Sequence, residues 1–256
     1  MISVRNLYKS YEGKNILSDV TIDFPEKQLT SLIGPNGAGK STLLMMLANL
    51  SKPDQGTILF NSKNIQDIHL SDYARSVATL RQSPGINLRM TVKELIAFGR
   101  FPYSRGSLTS YDHQVIDEAI RFLALDALSD CYLDELSGGQ RQMAFLAMTI
   151  AQQTEVLLLD EPLNNLDMKH AVQIMQALRR LCDEQGRTVI LVIHDINFAA
   201  NYSDHVVALK NHNIYLSGPT QSVITASQLS DLYELDFDIT YSERGYMCNY
   251  FNSSGA

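Results

Sequence analysis

The sequence predicts an α/β protein with a mostly parallel core sheet, antiparallel strands at the N-terminus and an inserted helical segment. Residues 2–33 alternate apolar and polar side chains between turn signals, as half-buried antiparallel strands do. Residues 156–159 and 189–193 are wholly apolar runs, which are typical of strands buried on both faces of a parallel sheet. Between residues 83 and 155 the apolar side chains recur at helical spacing. These three observations together favour the α/β class.

A glycine-rich segment follows the apolar run 29–33 and precedes a helical run at 43–48. Its residues are Gly34, Pro35, Asn36, Gly37, Ala38, Gly39, Lys40, Ser41 and Thr42. A strand, such a turn and a helix that opens on Lys-Ser are the context of a phosphate-binding loop. Its backbone N–H groups can surround an anion, Lys40 can reach the β- and γ-phosphates, and Ser41 can bind Mg²⁺. The alternative is an ordinary turn before a helix, and motif and context together favour the phosphate loop.

Two further residues in the first third of the chain are candidates for contacts with a nucleotide. Tyr11 is expected in a turn-like segment over 11–14 and could stack on an adenine, with Tyr8 as the rival and local surface packing as the alternative. Gln82 follows the predicted strand 77–80, and its neutral amide could contact Mg²⁺ or a water. A single glutamine carries little weight by itself, because most glutamines face solvent.

The helical segment contains two local signals. Thr91 and Glu94 have the spacing of a capping box before an apolar run, and residues 99–106 are expected to form a loop rich in arginine and aromatics. Further on, Ser137, Gly138, Gly139 and Gln140 are expected to form a polar turn that opens a helix over 141–152. Such a turn is either a second anion site or simply a serine cap followed by flexible glycines.

Acidic residues and a histidine follow the two apolar core strands. Asp160 and Glu161 come directly after the strand 156–159, and side chains alternate along a strand, so different tasks are expected of them. Asp160 suits Mg²⁺, and Glu161 suits polarisation of an attacking water. Asp167 is a plausible N-cap of the next helix, and His194 ends the strand 189–193, where a phosphate would lie.

Charge, hydropathy and cysteine content exclude some classes of function. The formal net charge of −7 argues against a broad nucleic-acid-binding surface. No apolar run approaches the roughly 18 residues of a membrane span, and no signal peptide is visible, so any membrane role is expected to come through a partner. The three cysteines are scattered, which favours unpaired thiols in a reducing cytosol.

These motifs stand in the order found in the nucleotide-binding subunits of ATP-binding-cassette (ABC) transporters, which the chain resembles over nearly its whole length. The resemblance implies ATP and Mg²⁺ as ligands and the P-loop NTPase fold of ABC ATPases. It also implies a role for each motif. In the family's terms, residues 34–42 are the Walker A loop, Gln82 is the Q-loop glutamine and residues 136–140 are the signature. Asp160 is the Walker B aspartate, Glu161 is the catalytic carboxylate, residues 164–167 are the D-loop, His194 is the switch histidine and Tyr11 is the adenine-stacking aromatic.

The family mechanism implies a head-to-tail pair of copies, in which ATP lies between the phosphate loop of one copy and Ser137 to Gly139 of the other. ATP binding closes this pair, and hydrolysis reopens it. A separate membrane permease would read the change, and an extracytoplasmic binding protein would deliver the cargo. The expected location is the cytoplasmic face of the inner membrane, with attachment through the permease.

Residues 99–103 and 160–170 resemble the ATPases of iron–siderophore importers, which belong with cobalamin and haem importers, and most closely those that serve catecholate siderophores. Import of haem or cobalamin, a non-transport ABC ATPase and a catalytically silent cassette are the alternatives. The resemblance implies one ABC ATPase domain over 1–240, with a RecA-like core over 1–82 and 156–240, a helical subdomain over 83–155 and a short extension over 241–256.

Overall fold

The structure, a computed structural model, describes residues 1–81 and 89–251. In chain order its helices and strands are β1 (Ile2–Tyr11), β2 (Lys14–Phe24), β3 (Leu29–Ile33), α1 (Lys40–Leu47), β4 (Gln55–Phe60), β5 (Lys63–Asn64), α2 (Leu70–Ser76), β6 (Val77–Leu80), α3 (Val92–Phe98), α4 (Phe101–Ser104), α5 (Ser110–Phe122), α6 (Gly138–Ala151), β7 (Val156–Asp160), α7 (Met168–Gln185), β8 (Thr188–Val192), α8 (Ile196–Tyr202), β9 (His205–Lys210), β10 (Asn213–Pro219), α9 (Thr220–Val223), α10 (Ala226–Tyr233), β11 (Asp238–Ser242) and β12 (Gly245–Asn249).

The chain groups into two compact units. Unit 1 comprises Met1–Ile68 and Thr188–Ala256, and unit 2 comprises His69–Arg187. This grouping places β6, β7 and α7 with the helices. The sequence predicts domain boundaries after residues 82, 155 and 240. A grouping by compactness does not test domain boundaries, so this division stays a prediction.

The N-terminal strands of unit 1 form an antiparallel sheet in the order β2-β1-β4-β5. Apolar residues meet across its strands, as in the pairs Ile2 with Phe24 and Val4 with Ile22, and all four side chains are buried. Such cross-strand pairs stabilise a sheet and fix its register. The expected antiparallel strands within residues 2–33 are therefore confirmed for β1 and β2.

A second sheet in unit 1 has β3 between β8 and β9, and both neighbours run parallel to it. All five residues of β3 are buried. The expectation that the strands within 2–33 are antiparallel is therefore wrong for β3, whereas the expectation that the apolar run 29–33 is a buried strand is confirmed. The reason is topological, because its partners come from the far end of the chain and a local alternation cannot reveal them.

Helices α3, α5, α6 and α7 of unit 2 each bury several apolar side chains. On α5 and just after it, Ile116, Ala119, Ile120 and Leu123 are buried, as their spacing predicts. The strands β6 and β7 pair in parallel in the same unit. Helix α3 begins at Val92 behind the predicted capping box of Thr91 and Glu94, which is present.

The segment 99–106 differs from the predicted loop. Residues Phe101–Ser104 form the short helix α4, with Pro102 in its first turn, a position that proline favours. Arg100 is almost wholly buried and contacts the Asp112 carboxylate at 2.8 Å. A glycine is required at position 99, because a Cβ there would lie 2.1 Å from the carbonyl oxygen of Met148. Sequence patterning reads arginine as a surface residue and does not detect a buried ion pair.

The C-terminal part of unit 1 ends in a two-stranded hairpin of β11 and β12, in which Ile239 pairs with Cys248. The sequence predicts strands at 236–241 and 246–251, so both strands are confirmed with small shifts of their bounds. Before the hairpin come β9, β10 and the helices α9 and α10, which match the predicted short strands and helix pair.

Candidate nucleotide site

The glycine-rich segment connects β3 to α1 and has the backbone that only glycine adopts easily. Gly37 and Gly39 have φ angles of +79° and +100°. A Cβ on Gly39 would lie 2.5 Å from Leu17 Cδ2 and 2.6 Å from the Ile16 carbonyl oxygen. The loop is thus packed too closely against β2 for a side chain at this position, and its N–H groups precede the N-terminus of α1, where the helix dipole favours an anion.

Lys40, the first residue of α1, turns its side chain back into this loop. Its ammonium donates hydrogen bonds to the carbonyl oxygens of Gly34 at 2.7 Å and Pro35 at 3.0 Å. The side chain is 5% exposed, so a positive charge lies within the loop rather than in solvent. An ammonium held in this way suits a phosphate chain.

Tyr11 ends β1 and leaves 44% of its surface exposed. Its hydroxyl lies 3.2 Å from Ser51 Oγ, and Lys9 Nζ lies 5.1 Å from its ring centroid. The ring is held in place while part of it stays open, which leaves it able to stack on a planar group. Tyr8, the rival, is 36% exposed.

His194 lies at the same edge of the sheet as the loop. The parallel strands β3 and β8 are neighbours, and the N–H of Ile193 donates to the carbonyl oxygen of Leu32 at 3.2 Å. Gly34 and His194 follow the carboxyl ends of these two strands, which is where ligands bind in open α/β sheets. The His194 side chain is exposed.

In unit 2, β7 ends at Asp160, and Glu161 is already outside the strand. Glu161 has a φ angle of +51°, a left-handed conformation that is uncommon for a residue with a side chain. The side-chain amide of Asn164 donates to Glu161 Oε2, and the Asn164 N–H donates to the Glu161 carbonyl oxygen. Glu161 is therefore not a member of the strand, and its left-handed backbone is of a kind that recurs at functional sites.

Asp167 caps α7, as predicted, and also fixes His170. One carboxylate oxygen of Asp167 accepts from the His170 N–H at 2.9 Å and lies 2.8 Å from His170 Nδ1. The backbone N–H and the side chain of His170 lower the pKa of Asp167 from its ordinary value. The ring of His170 occupies the space next to Gly139, where a Cβ would lie 2.4 Å from the ring. His170 thus joins the segment 164–167 to the start of α6.

Helix α6 begins at Gly138 rather than at Arg141 as the sequence predicts. Ser137 is its N-cap and forms a capping box with Gln140, because Ser137 Oγ accepts from the Gln140 N–H while Gln140 Oε1 accepts from the Ser137 N–H. The two glycines differ, since a Cβ on Gly138 would meet no atom within 4 Å. The N-terminus of α6 is therefore unobstructed at Gly138, whereas at Gly139 it is covered by the ring of His170.

The predicted residues thus fall into two groups, one in each unit. Unit 1 brings the loop 34–42 and His194 to one sheet edge. In unit 2, Asn164 contacts Glu161, and His170 contacts Asp167 and lies next to Gly139. Gln82 lies outside the described residues. The sequence analysis misses the part played by His170, although its spacing of three from the predicted cap Asp167 was a usable signal.

Sequence comparison decides the family, because the profile of the ABC transporter family matches residues 17–164, more than half of the chain. The chain belongs to the ABC transporter family. This confirms the resemblance that its motifs indicate, and with it the predicted ATPase class. Among the described residues no helix is long and apolar enough to cross a membrane, and no group of three or more metal-binding side chains occurs.

Individual members of the ABC family match nearly the whole chain. It is 46% identical to the petrobactin import ATP-binding protein YclP of Bacillus subtilis (strain 168), over 98% of this chain and 100% of that protein. It is 38% identical to the iron(3+)-hydroxamate import ATP-binding protein FhuC of the same organism, over 95% of this chain and 91% of that protein.

A solved ABC cassette confirms the predicted fold class. The dimeric structure of the ATP-binding cassette MJ0796 in a post-hydrolysis state, bound to ADP and Pi, is 26% identical to this chain. It superposes with a TM-score of 0.76 over 86% of this chain and 99% of that one.

Proposed function

We propose that this chain is the ATP-hydrolysing subunit that energises import of a ferric siderophore through a separate membrane permease. One observation carries the proposal: a chain with a complete set of nucleotide motifs matches siderophore-import ATP-binding proteins from end to end. The glycine loop with the enclosed Lys40 and the open helix start at Gly138 are the two anion-binding features that this activity needs.

Within unit 1 the proposed roles follow from chemistry and position. The N–H groups of 34–42 and the ammonium of Lys40 bind the β- and γ-phosphates. Tyr11 stacks on the adenine, because its ring is fixed near its hydroxyl and remains open elsewhere. His194 donates a hydrogen bond to the γ-phosphate and stabilises charge during transfer.

In unit 2, Glu161 is proposed to polarise the attacking water. Its amide contact from Asn164 holds the carboxylate in one orientation, which favours a single position of that water. Asp167 is proposed to contact nucleotide through the D-loop, and Ser137, Gly138, Gly139 and Gln140 are proposed to contact the γ-phosphate of ATP held by a second copy.

Mg²⁺ is the proposed metal. Ser41 offers a hydroxyl at the start of α1, Asp160 offers a carboxylate at the end of β7, and Gln82 offers an amide oxygen. All three are hard oxygen donors, which fit Mg²⁺, an ion that keeps several waters and binds phosphates together with one or two protein ligands. When bound, Mg²⁺ would neutralise charge on the β- and γ-phosphates.

Two copies of the chain are proposed to close head-to-tail on ATP and to reopen after hydrolysis. The dimeric state of the related cassette with ADP and Pi supports this proposal. It explains why α6 starts with an open glycine although the same chain already has a phosphate loop. A closed and an open pair are the two states that a permease can read.

The proposed partners are two integral membrane permease subunits and, indirectly, an extracytoplasmic siderophore-binding protein. The proposed location is the cytoplasmic face of the inner membrane, through the permease. The names of the petrobactin and hydroxamate relatives favour a siderophore as cargo, with haem or cobalamin as the alternative. The net charge of −7 favours transport over a nucleic-acid-directed ABC ATPase.

The proposal is tested with Glu161→Gln, which keeps the shape of the side chain and removes its charge. Loss of water activation is expected to lower ATP turnover of the purified chain by more than about tenfold and to abolish siderophore-dependent iron uptake in cells. Glu155→Gln is the matched control, because Glu155 is exposed just before β7. Unchanged uptake with Glu161→Gln contradicts the proposal, and absence of ATP turnover in the unaltered chain favours the silent-cassette alternative.

A further inference from the structure

The C-terminal hairpin is bound to helix α8 through two asparagine side chains. Asn197 Nδ2 donates to the Cys248 carbonyl oxygen at 3.3 Å, and Asn197 Oδ1 accepts from the Cys248 N–H at 2.8 Å. Asn201 makes the same pair with Tyr246, at 2.9 Å and 2.8 Å. Four hydrogen bonds thus join one helix face to the free edge of β12.

The two asparagines can both reach β12 because the spacing of side chains along the helix matches the spacing of residues along the strand. Residues four apart on a helix are separated by about 6 Å along its axis, and residues two apart on a strand by about 6.7 Å. Each carboxamide has both a donor and an acceptor, so it pairs with a strand as a backbone peptide does. The two asparagines therefore take the place of a neighbouring strand, and the outward-facing groups of Tyr246 and Cys248 are satisfied.

Helix α8 begins at Ile196, two residues after His194, and the backbone on both sides of His194 is held by hydrogen bonds. On one side, the N–H of Ile193 is bonded to Leu32 in β3. On the other side, Asp195 caps α8 by accepting from the N–H groups of Asn197 and Phe198 at 2.8 Å and 3.2 Å. The backbone at His194 therefore lies between a residue bonded to β3 and the residue that caps α8, so its position is tied to both elements.

The base of the hairpin is anchored as well. The rings of Phe237 and Tyr250, which flank it, have centroids 5.3 Å apart, and Phe237 lies 5.9 Å from the ring of Tyr233. The hydroxyl of Tyr233 accepts from the Gly34 N–H, the first of the phosphate loop, at 3.1 Å. Burial raises the pKa of Tyr233, so this hydroxyl keeps its proton. The hairpin is thereby fixed relative to the loop that precedes α1.

We propose that the hairpin β11–β12 is a clamp on α8, and that Asn197 and Asn201 are positioning residues that hold His194 for ATP hydrolysis. The inference rests on the proposed function, since it assumes that His194 acts on the γ-phosphate. It gives the residues after 236 a role in turnover that none of the nucleotide motifs assigns to them.

The test compares Asn197→Ala/Asn201→Ala with Asn213→Ala in the full chain. Asn213 is an exposed asparagine in β10 of the same unit, and its side chain contacts only the next backbone N–H in the hydrogen bonds of the described residues. The readouts are kcat and KM for ATP, with hydrogen exchange of residues 194–202 and 245–249. Asn201→Ala alone removes one of the two pairs and is used if the double variant does not fold.

The clamp predicts a fall in kcat of about tenfold in the double variant, a smaller fall in Asn201→Ala, and a change in KM below about twofold. Exchange at 194–202 is expected to become faster, while Asn213→Ala behaves as the unaltered chain. A kcat equal to that of the Asn213→Ala control overturns the clamp, and so does unchanged exchange at 194–202.

Failure of the clamp is distinguishable from failure of the proposed function. If His194→Ala lowers turnover and the asparagine variants do not, only the clamp is wrong. If the unaltered chain hydrolyses no ATP, the proposed function is wrong, and the exchange of residues 194–202 still decides whether the hairpin holds α8.

Discussion

At the scale of single residues, the most buried charged group of unit 2 is structural. Arg100 Nη1 donates to the Ala151 carbonyl oxygen at 2.9 Å and to Gln153 Oε1 at 3.0 Å, and its Nε contacts Asp112. These bonds satisfy a guanidinium that is 2% exposed. They join the residues after α3 to Ala151, the last residue of α6, and to Gln153 just beyond it, so Arg100 fixes the segment 99–103 against this end of the helix.

Asp112→Asn is expected to destabilise the protein by about 3–5 kcal/mol at neutral pH, because Arg100 would stay buried without its carboxylate. The backbone N–H and hydroxyl of Thr109, together with Arg100, lower the pKa of Asp112 from 3.8 to about 2. This contribution to stability is therefore fully present above about pH 4 and is lost as the pH falls towards 2. Urea unfolding between pH 5 and 2 measures it, and an equally steep loss in Asp112→Asn contradicts the assignment.

Gly139→Ala tests the contact between the start of α6 and His170. The added Cβ would lie 2.4 Å from the imidazole ring, so His170 must move away from Asp167, and both stability and turnover are expected to fall. Gly138→Ala is the steric control for stability, because its Cβ meets open space. A double-mutant cycle with His170→Ala measures the coupling, and additive losses would show that the two residues do not interact.

At the scale of helices and strands, the sequence predicts a feature correctly where that feature is determined by neighbouring residues in the chain. The capping box at Thr91 and the buried strand β7 could be read from the sequence, because caps and apolar runs act over a few residues. The parallel setting of β3 could not, since its neighbours β8 and β9 follow more than 150 residues later. The left-handed Glu161 and the buried Arg100 also depend on distant contacts and leave no local pattern.

The residues of the candidate site also differ in how far the sequence predicts them. The phosphate loop, Asp160, Glu161 and His194 are recognisable because residue type and position after a strand suffice to indicate them. The parts that hold them are less visible. The supporting contacts form only in the folded chain, and they are those of Asn164 with Glu161, His170 with Gly139 and Tyr233 with Gly34. Of the supporting residues, only Asn164 and His170 lie close to a motif in sequence.

Ser137→Ala is a prediction for the element α6. Loss of the Oγ cap is expected to destabilise the helix by about 1 kcal/mol, because the Gln140 N–H loses its acceptor. Thr91→Ala in α3 is the matched control, since it removes the same kind of capping box. Both variants are expected to lose similar stability in urea unfolding, whereas only Ser137→Ala is expected to lower ATP turnover. Equal turnover in the two variants would mean that Ser137 is a cap and nothing more.

At the scale of the whole molecule, the account requires two copies for each hydrolysis site. One copy provides the loop with Lys40, and the other provides the open helix start at Gly138. In the proposed function neither feature is sufficient alone, and this gives a chain with one phosphate loop a use for the glycine turn at 137–140. The central claim is therefore that Asn36 of one copy approaches Ser137 of another when ATP is bound.

Cross-linking in membranes measures this approach most directly. Chains with Asn36→Cys and chains with Ser137→Cys are co-expressed in a background without the three native cysteines, and a short bifunctional thiol reagent is added with ATP. The account predicts a product of about twice 28.7 kDa that contains one chain of each kind, needs ATP and is absent when either variant is expressed alone. No mixed product in the presence of ATP, or equal products from each variant alone, would contradict the head-to-tail pair.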